Sequence, residues 1–246
     1  MSVLSFRDVW VEYGDKIVLE KVSLDVAEGA FVSIVGPSGA GKSTFLRLVL
    51  GQEAPTRGRV YLDGEPLRPE PGPERGVVFQ RYSVFPHMTV LKNVMFGVQC
   101  RDKRRSARDE AAEMLRAVGL ADNMDVYPAA LSGGMQQRLA IAQALITHPR
   151  ILLLDEPFGA LDPGVRLDMH DLITSLWREK GLTILMVTHD IKEAFKLGTR
   201  VVAIDKRRKD AQAPHRYGST AVYDFPLDKP NATLRRELEA MTATAA

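Results

Sequence analysis

An α/β fold built on a mostly parallel sheet is what this sequence predicts, and three observations predict it. Short apolar runs of the fully buried type, Phe31–Val35, Ile151–Leu154 and Ile184–Val187, recur along the chain. Helical stretches lie among them: Ala111, Met114, Leu115 and Val118 share one face, and Leu139, Ala142, Leu145 and Ile146 share another. Continuous apolar strands alternating with helices belong to a parallel sheet covered on both faces. The third observation is the N-terminus. Alternation in Ser2–Val11 and Val18–Val26, broken at Tyr13-Gly14-Asp15, predicts a hairpin-like antiparallel entry.

The remaining elements follow in order. Phe31–Val35 runs into glycines and then a helical stretch, Ser43–Leu50. Residues 52–76 are rich in Pro, Gly and Arg, with a short strand Arg59–Leu62 before the Asp63-Gly64 turn signal. Val77–Gln80 reads as a strand, and residues 87–120 read as helical, with a basic cluster, Lys103–Arg105, expected to be solvated surface. A helix over Gly133–Thr147, a helix over Ile191–Leu197 and a last strand Arg200–Ile204 complete the pattern. Beyond Ile204 the composition changes: Lys206–Lys209 is basic and residues 210–230 are rich in Pro, Ala and polar groups. Asn231 is placed to cap a short helix in which Leu234, Leu238 and Met241 share a face.

Composition narrows the class. The 246 residues are 45% hydrophobic and 26% charged with a net charge of +2, which suits a soluble globular protein and supplies no basic field for nucleic acid. No apolar run approaches the roughly 20 residues that cross a bilayer. The opening residues lack the basic start, apolar run and small-residue cleavage site of a secretory signal. Cys100 is the single cysteine and reads as a reduced thiol in a cytoplasmic protein. Any membrane role is therefore expected to come through a partner.

Gly36-Pro37-Ser38-Gly39-Ala40-Gly41-Lys42-Ser43 fits the phosphate-binding loop, glycine, four residues, then Gly-Lys-Ser/Thr. Gly39 and Gly41 let backbone amides approach a polyphosphate, and the following helix, which carries Thr44, points its positive end at the same anion. Lys42 supplies a cation for the β and γ phosphates of a nucleotide, and Ser43 a hydroxyl for Mg²⁺. Ile151–Leu154 then ends in Asp155 and Glu156, which puts acid at the carboxyl edge of the sheet. Asp155 would hold Mg²⁺ directly or through water, and Glu156 would accept a proton from the attacking water or orient it. These elements define a nucleoside triphosphatase. Leu131-Ser132-Gly133-Gly134-Met135-Gln136-Gln137-Arg138 adds an incomplete anion site, with a serine hydroxyl and a helix N-terminus but no lysine. Such a half-site becomes useful when it closes over a γ-phosphate held by another molecule.

Leu131–Arg138 resembles the signature sequence of ABC ATPases, and further family motifs follow in the expected order over residues 2–205. The resemblance implies that Tyr13 stacks on adenine and that Gln80 senses the γ-phosphate and Mg²⁺. It makes Gly159-Ala160-Leu161-Asp162 the loop that communicates across a dimer, and His189 the switch histidine at the γ-phosphate. Its fold implications are a P-loop NTPase core, an N-terminal antiparallel β subdomain, and an α-helical subdomain at about 87–147 carrying the signature. The expected organisation is an ATPase domain over 1–205 and a C-terminal extension over 206–246 without a separate regulatory domain. Met135 stands where the commonest signature has glutamine, and a thioether cannot donate the hydrogen bond that glutamine would.

The implied mechanism is a head-to-tail dimer, a homodimer or a pair with another ABC ATPase. Each ATP would sit between Lys42 of one subunit and Ser132 of the other. Residues Tyr82–Val90, followed by Leu91-Lys92-Asn93-Val94, look like the segment that receives a permease in bacterial importers, with Val84, Phe85 and Met88 as its apolar contacts. The expectation is thus an importer motor at the cytoplasmic face of the inner membrane, working with permease subunits and a solute-binding protein. An exporter motor and a soluble, non-transport ABC ATPase are the alternatives. Asp155-Glu156-Pro157-Phe158-Gly159-Ala160-Leu161-Asp162 is similar to the nitrate, sulfonate and taurine importers and to the sugar and polyamine ones. The short tail favours the first group, and Tyr223-Asp224-Phe225-Pro226-Leu227 resembles relatives associated with urea or guanidine-type compounds.

Overall fold

The computed structural model describes residues 2–80, 83–101, 107–208, 210, 212–213 and 215–227. In chain order the elements begin with β1 (Ser2–Tyr13), β2 (Lys16–Ala27), β3 (Phe31–Val35), α1 (Lys42–Leu50), β4 (Arg57–Leu62), β5 (Glu65–Pro66) and β6 (Arg75–Val78). They continue with α2 (Val90–Arg101), α3 (Ala107–Ala117), α4 (Gly133–Leu145), β7 (Ile151–Asp155) and α5 (Pro163–Lys180). β8 (Thr183–Val187), α6 (Ile191–Leu197), β9 (Arg200–Asp205) and β10 (Thr220–Pro226) complete the series. Two compact units divide the chain, residues 1–72 with 183–246, and residues 73–182.

The first unit holds two kinds of sheet. β1 pairs antiparallel with β2 on one side and β4 on the other, and β5 extends β4. In the second sheet, β3 runs parallel between β8 and β9, and β10 returns antiparallel along β9. All five residues of β3 and all five of β8 are buried, the polar Ser33 and Thr183 among them. Phe6 of β1 stacks on Phe45 of α1 with ring centroids 4.4 Å apart, and both are fully buried. A second cluster joins Val35, Val201 and Ala203 to Ile191 and Ala194 of α6, with Val222 and Phe225 of β10 packed against it. Each fully buried Val, Ile or Phe among them contributes about 1.5–3 kcal/mol through the area it removes from water.

In the second unit β6 and β7 run parallel, Val78 opposite Leu154. The helical region predicted over 87–120 consists of α2 and α3. Ala111, Met114, Leu115 and Val118 are all buried, as are Leu139, Ala142, Leu145 and Ile146. Gly97 lets α2 approach the end of α4, because a Cβ there would lie 2.5 Å from Ile146 Cγ2. Cys100, exposed, lies one turn further along α2.

Three elements differ from the sequence reading. β6 ends at Val78, so Gln80 occupies a loop rather than a strand. α5 is an 18-residue helix that the reading passed over. Only Met169, His170, Ile173 and Leu176 of it are buried, too short and polar a stripe to register as periodicity, although Asp162-Pro163 and Gly181 mark its two ends. β10 lies in the stretch read as Pro- and Ala-rich, where the short apolar and aromatic run Ala221-Val222-Tyr223 was its signal. The predicted helix of residues 231–241, Tyr82 and the cluster Lys103–Arg105 lie outside the described residues.

Candidate functional site

In the first unit the loop after β3 is shaped by glycines. Gly36 is buried against β9, where a Cβ would meet the Ile204 carbonyl oxygen at 2.3 Å. Gly41 has φ +85 and lies against β2, where a Cβ would come within 2.9 Å of Leu19 Cδ2 and 3.0 Å of Val18 Cγ1. α1 begins at Lys42 with Gly41 as its N-cap and no side chain to accept from its first turn. A helix start left without a side-chain cap presents its orphan amides and positive dipole end to an external anion. Lys42 is buried, and its ammonium donates to the carbonyls of Gly36 at 2.8 Å and Pro37 at 3.0 Å. Ser38, Gly39 and Ser43 are exposed, whereas Ala40 and Thr44 are buried. The loop therefore offers a cation, a hydroxyl and several amides on one short arc.

Tyr13 ends β1, exposed, with its hydroxyl donating to the Glu53 carboxylate. Burial raises the phenol above its ordinary pKa, and the hydrogen bond to Glu53 raises it further. His189 follows β8. Thr188 donates its backbone N–H to the Ile34 carbonyl at 3.1 Å, so His189 and Gly36 leave neighbouring parallel strands at the same carboxyl edge. The chain around His189 is pinned by a network the sequence reading missed. Thr188 Oγ1 donates to Glu193 Oε2 at 2.7 Å and accepts from Asp190 N, while Asp190 caps α6 by accepting from Glu193 N. The spacing Asp190–Glu193 is that of a capping box, and it was legible.

The second unit repeats this logic. Val78 pairs with Leu154, so Gln80 and Glu156, each two residues further on, emerge side by side. Gln80 Nε2 donates to Glu156 Oε2 at 3.2 Å. Glu156 has φ +45, a left-handed conformation that a non-glycine residue adopts at a cost of about 1–3 kcal/mol. Asp155 is the last residue of β7 and half-buried.

Ser132 caps α4, accepting from Met135 N at 3.3 Å. Gly133 is exposed, and Gly134 is buried where a Cβ would lie 2.5 Å from Val165 Cγ1. Gln136 closes the turn by donating to the carbonyls of Pro128 and Leu131. Met135 thus serves this turn through its backbone N–H. Asp162 is the N-cap of α5 but makes no side-chain cap bond, and Arg166 donates to the Leu161 carbonyl of the same loop.

A further hub is Asn93, which sequence reasoning passed over. Buried in α2, it accepts from Phe85 N at 2.7 Å and donates to the carbonyls of Phe85, Met88 and Thr89. Gln143 of α4 donates to Asn93 Oδ1 at 3.0 Å. Beside them lies a groove of about 270 Å³ lined in part by Phe85, Phe96, Gly97 and Gln143. Val84, Phe85 and Met88 are half-buried, and Phe85 packs edge-on to the exposed Phe96 at 5.0 Å.

Residues 19–159 match the family described as ABC transporter. The chain belongs to that family. This cassette is 49% identical over 208 residues to an aliphatic sulfonates import ATP-binding protein of Cupriavidus necator, covering 83% of this chain and 67% of that one. It is 45% identical over 197 residues to a nitrate import ATP-binding protein of Synechocystis, covering 79% of this chain and 73% of that one. Among solved structures, a dimeric ATP-binding cassette in a post-hydrolysis state with ADP and Pi aligns with TM-score 0.75 at 32% identity. That alignment covers 92% of this chain and 100% of the other. This ABC cassette is an ATPase with an α/β fold, coupled to transport, and no helix among its described residues is long and apolar enough to cross a membrane.

Proposed function

We propose that this ABC cassette is the motor of a bacterial solute importer, acting as a head-to-tail dimer beneath a separate permease at the cytoplasmic face of the inner membrane. The observation that carries the reading is its 45–49% identity to two import ATP-binding proteins. The apolar groove beside Phe85 and Phe96 supports it, as a surface that an apolar helix of a permease would fill. Nitrate and sulfonates are the relatives' solutes, which makes a small nitrogen or sulfur compound the solute class here, carried with the help of a solute-binding protein.

In this reading Tyr13 stacks on adenine, and the loop from Gly36 to Thr44 wraps the phosphates with Lys42 as their cation. Ser132, Gly133 and Gly134 of a partner cassette close over the γ-phosphate, and Asp162 bridges the two cassettes. Mg²⁺ suits the donor set: an exposed serine hydroxyl, an amide and one carboxylate are hard oxygens. Among the described residues no cluster of three acidic, His or Cys side chains competes for a metal. Ser43, Asp155 and Gln80 would hold the ion, which neutralises phosphate charge. Glu156 accepts the proton of the attacking water or orients it, held by Gln80, and His189 contacts the γ-phosphate.

The test is to express the tagged chain in its host, extract membranes in mild detergent and identify stoichiometric partners by mass spectrometry. A multi-span permease with a solute-binding protein supports the importer. A permease whose reconstituted vesicles expel solute would assign an exporter instead. Recovery only from the soluble fraction would overturn transport for this chain.

A further inference from the structure

β2 is the outer strand of its antiparallel sheet, and its free edge is taken by a segment from far along the chain. Residues 215–219, in the connection between β9 and β10, run parallel to it. Ile17 N donates to the His215 carbonyl at 3.0 Å, Ser219 N to the Val18 carbonyl at 2.9 Å, and Glu20 N to the Ser219 carbonyl at 2.8 Å. Gly218 is buried where a Cβ would lie 2.7 Å from Ile17 Cγ2 and 2.9 Å from Glu20 N, so only glycine permits this approach. The Glu20 carboxylate ties the segment down twice, accepting from Gly218 N at 3.0 Å and from Arg208, whose guanidinium lies over the Tyr217 ring at 4.2 Å. Across β2 from this clamp, Val18 and Leu19 press on Gly41, and Lys16 and Ile17 pair with Tyr13 and Glu12. Of the β2 residues that the clamp holds, Val18 and Leu19 thus also meet the phosphate loop, and Ile17 meets Glu12 beside Tyr13.

We propose that residues 215–219, with Glu20 as their anchor, are a positioning element of the nucleotide site. By holding Ile17–Glu20 in place they set Gly41 for the phosphates through Val18 and Leu19, and Tyr13 for the base through Ile17 and its neighbour Lys16, without touching nucleotide themselves. The proposal rests on the nucleotide lying at the phosphate loop. A positioning element of this kind acts on ground-state binding and leaves the hydrolytic residues of the other unit alone.

Equilibrium binding of fluorescent Mg-ATP analogue to the purified full chain tests it, beside steady-state ATPase. Glu20→Ala removes two hydrogen bonds and raises Kd and KM about five- to tenfold, with kcat at saturating Mg-ATP within about a factor of two. Glu20→Gln restores most of the affinity, since its amide oxygen still accepts from Gly218 N. Should Glu20→Ala fold poorly, Arg208→Ala on the exposed side carries the same readout at about two- to threefold. Parental affinity in these variants, or kcat falling in step with melting temperature at constant KM, overturns the positioning role. Binding that survives Lys42→Ala overturns the nucleotide site itself and the positioning role with it, which a separate control thus distinguishes.

Discussion

Glu156 combines a left-handed backbone with a carboxylate that accepts from a neighbouring amide. Glu156→Gln is expected to lower kcat at least about 100-fold while leaving the Kd for ATP within about twofold, because only base function is lost. Single-turnover hydrolysis with a filter-binding assay reads both numbers, and parental turnover would remove Glu156 from the chemistry. Met135 illustrates the opposite case. The signature reading gave its side chain weight, yet its backbone N–H is what Ser132 accepts. Met135→Gln should leave melting temperature unchanged, measured by differential scanning fluorimetry. Motif residues were legible because phosphate chemistry demands particular types at fixed spacing. The Thr188–Glu193 bond and the Asn93 hub were less so, since a buried polar pair leaves no periodic trace in sequence.

At the scale of elements, buried parallel strands were the easiest to read and partly exposed ones the hardest. β3, β7 and β8 are short, mostly apolar and fully or nearly fully buried, whereas α5 and β10 bury only part of one side. Gly97 shows what helix packing requires. Gly97→Val should destabilise the chain by about 1–3 kcal/mol in urea titration, the usual penalty of overpacking a helix contact. The N-terminal hairpin carries a pH signature. The Asp25 carboxyl is held below its ordinary range by hydrogen bonds from Arg7 and Ser5. A depressed carboxylate stabilises the fold above the unfolded-state pKa, about 4, and loses that contribution as pH falls through its lower folded value. The melting-temperature gap between parent and Asp25→Asn should therefore be full at neutral pH and shrink below about pH 4. A gap constant with pH would show that the charge contributes nothing.

The molecule as a whole divides its chemistry between two units, one presenting the phosphate loop, Tyr13 and His189, the other Gln80, the two carboxylates and the signature serine. That division was legible only as motif order along the chain, because sequence order does not disclose that residues 183–246 rejoin the N-terminal unit. One small feature of the second unit becomes a tool at this scale. Cys100 is the sole thiol of the chain, exposed on α2 one turn beyond Gly97 and close in sequence to Phe96. A maleimide dye or nitroxide can therefore be placed at one known address in the unaltered protein. Its emission or spin mobility would report, in real time, whether a partner settles on the groove that Phe96 and Gly97 line.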